Sequence, residues 1–213
     1  MHMVDALAQT TTAAATKPFD WRPTIVIAIV VLACVFVWWQ WFMTYHLEVV
    51  QEGVLYRDGN RGMREFKNAV RKVKPKTVVC LIDDAELADA GKSMFAQEMK
   101  YLGDRNVKLE RVKVELGGWP TESEINQFLD VMADKNNHPV LIHCAQGVRR
   151  TGMMVAAYQK SALGYTDEQA EAAIEWFGRK PTSPTIAEVK KFIRAYDGKT
   201  RKLTETFAAT GAE

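Results

Sequence analysis

A chain of 213 residues, 47% of them hydrophobic, can bury one ordinary core and still spare residues for flanking segments. Its formal net charge of +2 supplies no basic field for nucleic acid, which is excluded as a partner on electrostatic grounds. The cysteines, Cys34, Cys80 and Cys144, lie too far apart for a disulfide framework or a metal-ligand motif, so neither a metal nor another cofactor is expected.

Residues 1–23 open rich in Ala and Thr without periodicity and read as a flexible tail. The span 24–43 holds 20 residues without a charge, the length that crosses a bilayer. Trp38, Trp39 and Trp41 gather at one end with Tyr45 beyond, in the manner of an interfacial aromatic belt. A core helix would carry a polar face, and a cleaved signal peptide would be followed by a small-residue site. Neither is present, so 24–43 is predicted to be a transmembrane helix with the bilayer as partner. Lys17 and Arg22 precede it and Arg57 and Arg61 follow, so charge counting leaves the orientation open.

The folded domain is expected over 47–196. Residues 47–50 and 53–57 read as strands joined by a turn, and 65–72 as a helix. Residues 77–82 form a β-branched, apolar strand closed by Asp83-Asp84. A helix is expected over 93–102, and alternating apolar and charged residues over 107–116 predict a half-buried strand. Thr121 and Glu124 are spaced as a capping box for a helix reaching residue 134. Residues 139–142 read as a buried strand, and the helix after it stops near Leu163 at Gly164. Thr166 with Gln169, and Thr185 with Glu188, are spaced as two further capping boxes, before helices over 170–177 and 189–196. Residues 197–213 read as a loose polar tail. Alternating strands and helices, then helices in a run, predict the α/β class: a central, mostly parallel sheet flanked by helices, preceded by one transmembrane helix.

The most telling stretch is His143-Cys144-Ala145-Gln146-Gly147-Val148-Arg149-Arg150-Thr151-Gly152, set between a strand and a helix. A thiol at a helix N-terminus beside a cation loses its proton readily, and Cys144 has both the helix start and Arg150. The planar guanidinium of Arg150 suits two phosphate oxygens at once. Gly147 lets the loop turn sharply, so that the N–H groups of Ala145, Gln146, Gly147, Val148 and Arg149 converge on an anion. Such a loop would hold a phosphoryl group for in-line attack by Cys144. Thr151 would offer its hydroxyl to the departing sulfur, and His143 would fix the loop.

The sequence His143-Cys144-x5-Arg150-Thr151-Gly152 resembles the signature loop of the cysteine-dependent protein tyrosine phosphatase superfamily. The wider chain is similar to the compact dual-specificity branch, in its atypical plant and fungal form with bacterial relatives. Leu55-Tyr56-Arg57, Thr77-Val78-Val79-Cys80-Leu81 and the run from Lys135 to Cys144 carry that likeness, which covers roughly residues 50–196. It implies a cysteine-phosphatase fold and a phosphocysteine intermediate on Cys144. Cys144, Arg150, Thr151 and His143 become the catalytic set, and the loop from Ala145 to Arg150 the phosphate site.

The resemblance also implies a general acid, carried in relatives by an aspartate on a movable loop upstream of the cysteine. Here that loop is 115–124, where Trp119-Pro120-Thr121 resembles Trp-Pro-Asp with threonine in place of the acid. Thr121 and Glu124 are accounted for by the capping box. Of Glu115, Glu122, Asp83 and Asp84, the expected donors are Glu122 and Asp84, the latter following a strand where α/β sites form. Where relatives acting on inositol lipids place lysines in the loop, this chain has Ala145, Gln146 and Val148, and Arg149 is the one added charge, which argues against highly phosphorylated inositol substrates.

The expected function is therefore a membrane-anchored phosphatase. It would act on phosphotyrosine in proteins, or with dual specificity on similar monoesters. Two alternatives stay open: a phospholipid or inositol phosphate phosphatase, and a catalytically weak pseudophosphatase that binds phosphorylated partners. A cysteine that must stay a thiolate favours a cytoplasmic domain on a single-pass anchor.

Overall fold

The computed structural model describes residues 20–198, so most of the two expected tails, 1–23 and 197–213, lies outside the described residues. The chain divides into two compact units, one ending at Gln40 and the other beginning at Trp41. Helix α1, Arg22–Phe42, begins in the first and ends two residues past that boundary. Pro23 sits in its first turn, where a missing N–H costs nothing, and Asp20 Oδ1 accepts from Arg22 N at 3.1 Å. Ile25, Val30, Leu32 and Phe36 are all exposed. Among the described residues this is the one helix long and apolar enough to cross a membrane, by length and composition.

In the second unit, strands β1 (Glu48–Gln51), β2 (Leu55–Gly59), β3 (Thr77–Cys80), β4 (Lys108–Arg111) and β5 (Val140–Cys144) form one sheet in the order β1-β2-β5-β3-β4. Only β1 runs antiparallel to its neighbour. The helices are α2 (Met63–Val73), α3 (Asp84–Ala88), α4 (Met94–Gly103), α5 (Glu122–Ala133), α6 (Arg149–Ala162), α7 (Asp167–Ala172) and α8 (Pro184–Ala195). Strand alternation assigns them to layers. Val79, Val140 and Ile142 pack with Phe128, Leu129, Met153, Tyr158 and Ile193 of α5, α6 and α8. Val78 and Leu141 point the other way, to Phe66 and Ala69 of α2 and Leu102 of α4. Each fully buried Leu, Ile or Phe in these layers contributes roughly 1.5–3 kcal/mol.

The sheet is the mostly parallel one expected, and four local differences have physical causes. The strand foreseen over 107–116 is only Lys108–Arg111. It sits at the sheet edge, and its single partner β3 ends at Cys80, where the chain turns into α3. Helix α3 itself went unforeseen because the acids at its start read as a turn. Asp83 caps it by accepting from Glu86 N at 2.7 Å. The helix foreseen over 170–177 stops at Ala172, and Phe177 (φ 47°) and Gly178 (φ 76°) take left-handed conformations. The capping box at Thr185 does not form. Helix α8 starts five residues earlier than expected, at Pro184, and Glu188 accepts from Trp119 Nε1 instead, at 3.0 Å. The boxes at Thr121 and Thr166 are both present.

Candidate active site

Strand β5 lies between β2 and β3 and delivers His143 and Cys144 at its C-terminal end, where the crevice of a parallel sheet opens. Their side chains leave on opposite faces. His143 points toward α2 and α4, with Nε2 2.7 Å from Glu98 Oε1 and both residues fully buried. Asn60 Nδ2 donates to the second Glu98 oxygen at 2.5 Å. Burial alone would lower the His143 pKa, but the Glu98 charge outweighs it and holds the imidazole well above its ordinary value. The Cys80 sulfur lies within 4.8 Å of their ligand atoms.

Cys144 faces the turn into α6. Gly147 has φ 69°, and a Cβ there would sit 2.4 Å from the Asp58 carbonyl oxygen, so only glycine fits. Its N–H donates to Cys144 Sγ at 3.2 Å. Burial raises the Cys144 pKa. The opposing effects are larger together: the Arg150 charge first, then the Thr151 hydroxyl and the backbone N–H groups of Thr151 and Gly147. The thiol is held below its ordinary value. Arg57 Nη2 donates to the Gly147 carbonyl at 2.8 Å from beneath the loop.

Arg150 does not hang free. Its Nη1 donates to the carbonyls of Leu81 (3.1 Å) and Val114 (3.2 Å), and its fork closes on the buried carboxylate of Glu86, with Nη2 at 3.2 Å from Oε1. Sequence reasoning missed Glu86, since nothing marks one acid in a short, unforeseen helix. Lys92 Nζ lies 3.4 Å from the same carboxylate. Lys92, Glu86, Leu116, Gly117, Cys144, Ala145, Gln146, Arg149, Arg150 and Thr185 line one cavity of about 430 Å³. Arg149 ties the loop above it, donating to the carbonyls of Gly118 (2.8 Å) and Gly117 (2.7 Å).

The structure thus brings together Cys144, Arg150, Thr151, and the loop from Ala145 to Arg149, with His143 directly behind. It does not bring the two expected acids to them. Asp84 is exposed and paired with Arg111 (2.9 Å) and Lys113 (2.7 Å). Glu122 opens onto a separate cleft lined by Trp119, Phe192 and Tyr196. Asp83 is held by its capping bonds to Glu86 N and, at 3.0 Å, to Leu116 N. Beneath the loop, Asp58 is fully buried, with no hydrogen-bond partner for either carboxyl oxygen. Burial raises its pKa well above the ordinary carboxyl value, against the opposing His143 charge and Gly59 N–H, with smaller upward pushes from Glu98 and Cys144.

A family model described as "DSP-PTPase phosphatase fused to NAD+ Kinase" matches residues 72–183, more than half of the chain. Inositol diphosphatase DSP3 of Arabidopsis thaliana is 37% identical over 68 residues, 30% of this chain and 34% of that protein. The matched segment spans about a third of the length of that relative. Among solved structures, the core catalytic domain of the PP-IP phosphatase SIW14 from S. cerevisiae superposes with a TM-score of 0.59 at 19% identity, over 73% of this chain and 88% of that one. P. aeruginosa TpbA follows with 0.51 at 22% identity, over 73% and 86%. At these identities the two structures show a shared fold. With its strand, loop and helix in the arrangement described and its family model matched over the same residues, the chain belongs to the dual-specificity branch of the cysteine-dependent protein tyrosine phosphatase superfamily.

Proposed function

We propose that the protein is a cysteine-dependent phosphatase whose substrate is a small molecule carrying more than one phosphate, with a diphosphate as the bond cleaved. The observation that carries this reading is the Cys144 cavity, whose lining holds three cations, Lys92, Arg149 and Arg150, and a single carboxylate, Glu86. Lys92 comes from a distant segment, so the sequence count of one added charge underestimated the cationic rim. Cys144 attacks phosphorus as the thiolate, and the bond to the leaving oxygen breaks. The loop N–H groups and Arg150 hold the other phosphoryl oxygens. Water then attacks the phosphocysteine, the sulfur–phosphorus bond breaks, inorganic phosphate leaves with the water's oxygen and protons, and the thiolate returns, stabilised by the Thr151 hydroxyl and the Gly147 N–H.

The acids bear on the leaving group. Asp84 is committed to Arg111 and Lys113, and Glu86 to Arg150. An alkoxide leaving without a donor is a poor leaving group, whereas a departing phosphate has a second pKa of about 6 and leaves as an anion at neutral pH. The names of relatives, an inositol diphosphatase and a PP-IP phosphatase, support the same class. In a panel of inositol diphosphate, phosphotyrosine peptide and phosphoinositide vesicles without added metal, the diphosphate should win by at least about tenfold in kcat/KM, roughly 1.4 kcal/mol. Preference for the peptide restores the protein phosphatase reading. Binding without turnover of any substrate restores the pseudophosphatase.

The same proposal places α1 in a bilayer as a single-pass anchor, on the strength of its length and its exposed apolar surface. The chain should stay in the membrane pellet through an alkaline carbonate wash, and release into the supernatant would remove the anchor from the proposal.

A further inference from the structure

The segment between α1 and β1 is built into the catalytic loop. Asn68 Nδ2 donates to the Met43 carbonyl at 2.7 Å, and Gly59 N to the Tyr45 carbonyl at 3.0 Å. The His46 ring is stacked between Tyr45 (centroids 3.9 Å apart, planes at 23°) and Phe177 (4.3 Å, 16°). His46 Nδ1 lies 2.7 Å from the Gln146 carbonyl oxygen. A carbonyl only accepts, so this nitrogen carries the proton.

Both stacked residues hold conformations that ordinary side chains avoid, φ 60° at His46 and φ 47° at Phe177. Strain of that kind persists where surroundings over-determine it, and it clusters at functional sites. Arg179 Nη2 donates to the Gln146 side chain at 2.9 Å, and the Arg57 guanidinium lies 5.2 Å from the Phe177 ring. Two remote segments therefore converge on one residue of the loop.

The peptide unit explains why that residue matters. In a trans peptide, the C=O of Gln146 and the N–H of Gly147 point in opposite directions. A donor that draws the Gln146 oxygen outward aims the Gly147 N–H inward, and that N–H is the one 3.2 Å from Cys144 Sγ. His46, the peptide and the sulfur form one chain of hydrogen bonds, in which each bond polarises the next. We propose that His46 is a positioning residue for Cys144, acting through the 146–147 peptide, and that the linker leaving the apolar helix is thereby part of the active site. The proposal rests on Cys144 being the nucleophile. Burial, and the nearby Arg179, Arg57 and Arg61, lower the His46 pKa, so the ring serves as a neutral donor.

The test uses the 213-residue chain in detergent. Two variants tolerate the left-handed backbone: His46→Gly, which removes donor and ring, and His46→Asn, which restores a donor near the Nδ1 position. The rate of iodoacetamide alkylation of Cys144 is followed against pH by mass spectrometry of its peptide. This reads the thiol whether or not any substrate is turned over. In His46→Gly the thiol midpoint should rise by about half a unit or more, a roughly threefold loss of thiolate at any pH below the wild-type midpoint. In His46→Asn it should return most of the way. A wild-type midpoint in His46→Gly overturns the proposal, as does an equal shift in both variants. If the midpoint moves as expected while no phosphate ester is hydrolysed, the proposed function fails and the coupling stands.

Discussion

Replacing Cys144 by serine is expected to lower phosphatase turnover by on the order of 10⁴-fold or more while leaving the fold intact. Sulfur and oxygen differ little in size at a buried position, so the loop and its Gly147 N–H keep their shape. Acidity changes far more. The Cys144 thiol is held below its ordinary value by Arg150, Thr151 and the loop amides, whereas a serine hydroxyl there stays protonated and no base stands beside it. Phosphate binding should survive, because Arg150 and the backbone donors are untouched. Initial rates together with orthovanadate affinity check this. A serine variant with more than about a hundredth of wild-type kcat, which limits the barrier change to about 2.7 kcal/mol, would remove Cys144 from the role of nucleophile.

Removing the Glu86 carboxylate should cost stability as well as activity. Glu86 and Arg150 are both nearly excluded from solvent, 4% and 5% exposed. Truncating one partner of such a pair strands the other charge, at a cost of about 3–5 kcal/mol. Glu86→Ala should therefore unfold at clearly lower denaturant. Glu86→Gln keeps the shape and one acceptor oxygen, so it should recover much of the stability and little of the rate, since a neutral amide no longer fixes the plane of the Arg150 fork. The diagnostic pattern is a fall in kcat larger than the rise in KM for the glutamine variant. Equal stability of wild type and alanine variant would show that the pair is dispensable.

The Cys144 loop was the most legible part of the chain because its requirements are local. A strand, a glycine and a helix start put Cys144 and Arg150 on one turn, and all of these lie within ten consecutive residues. The strands at 77–80 and 140–144 and the two true capping boxes were equally readable, since apolar runs and capping pairs declare themselves over short windows. What the sequence hid were long-range partners. Glu86, Lys92, Glu98 and Asp58 reach the site from other elements, and each looks like an ordinary surface acid or base in sequence. Edge strand β4 ended early for the same reason: its length is set by β3, not by its own alternation. Phe177 was read as the end of a helix, because nothing local tells of the His46 ring it stacks upon. Thr185 and Glu188 have capping-box spacing, but Pro184 started the helix first and Trp119 claimed the carboxylate.

Two glycines give the Cys144 loop a thermodynamic character of its own. Gly59 on β2 has no room for a Cβ, which would stand 2.8 Å from the Gln146 carbonyl group and 2.8 Å from the Tyr45 ring, and Gly147 is pressed as closely on Asp58. The two backbones nest because neither has a side chain at the contact. The loop is thus moulded by a neighbouring strand before any anion arrives. A phosphate bound there, as proposed, would have little chain to order, and the entropy that ordering would consume is already spent in folding. Calorimetry on such a site would register the hydrogen bonds and charge contacts of the anion itself, with a small heat-capacity change because scarcely any apolar surface is newly covered. The affinity of the loop is in this sense a property of β2 as much as of the residues that touch the ligand.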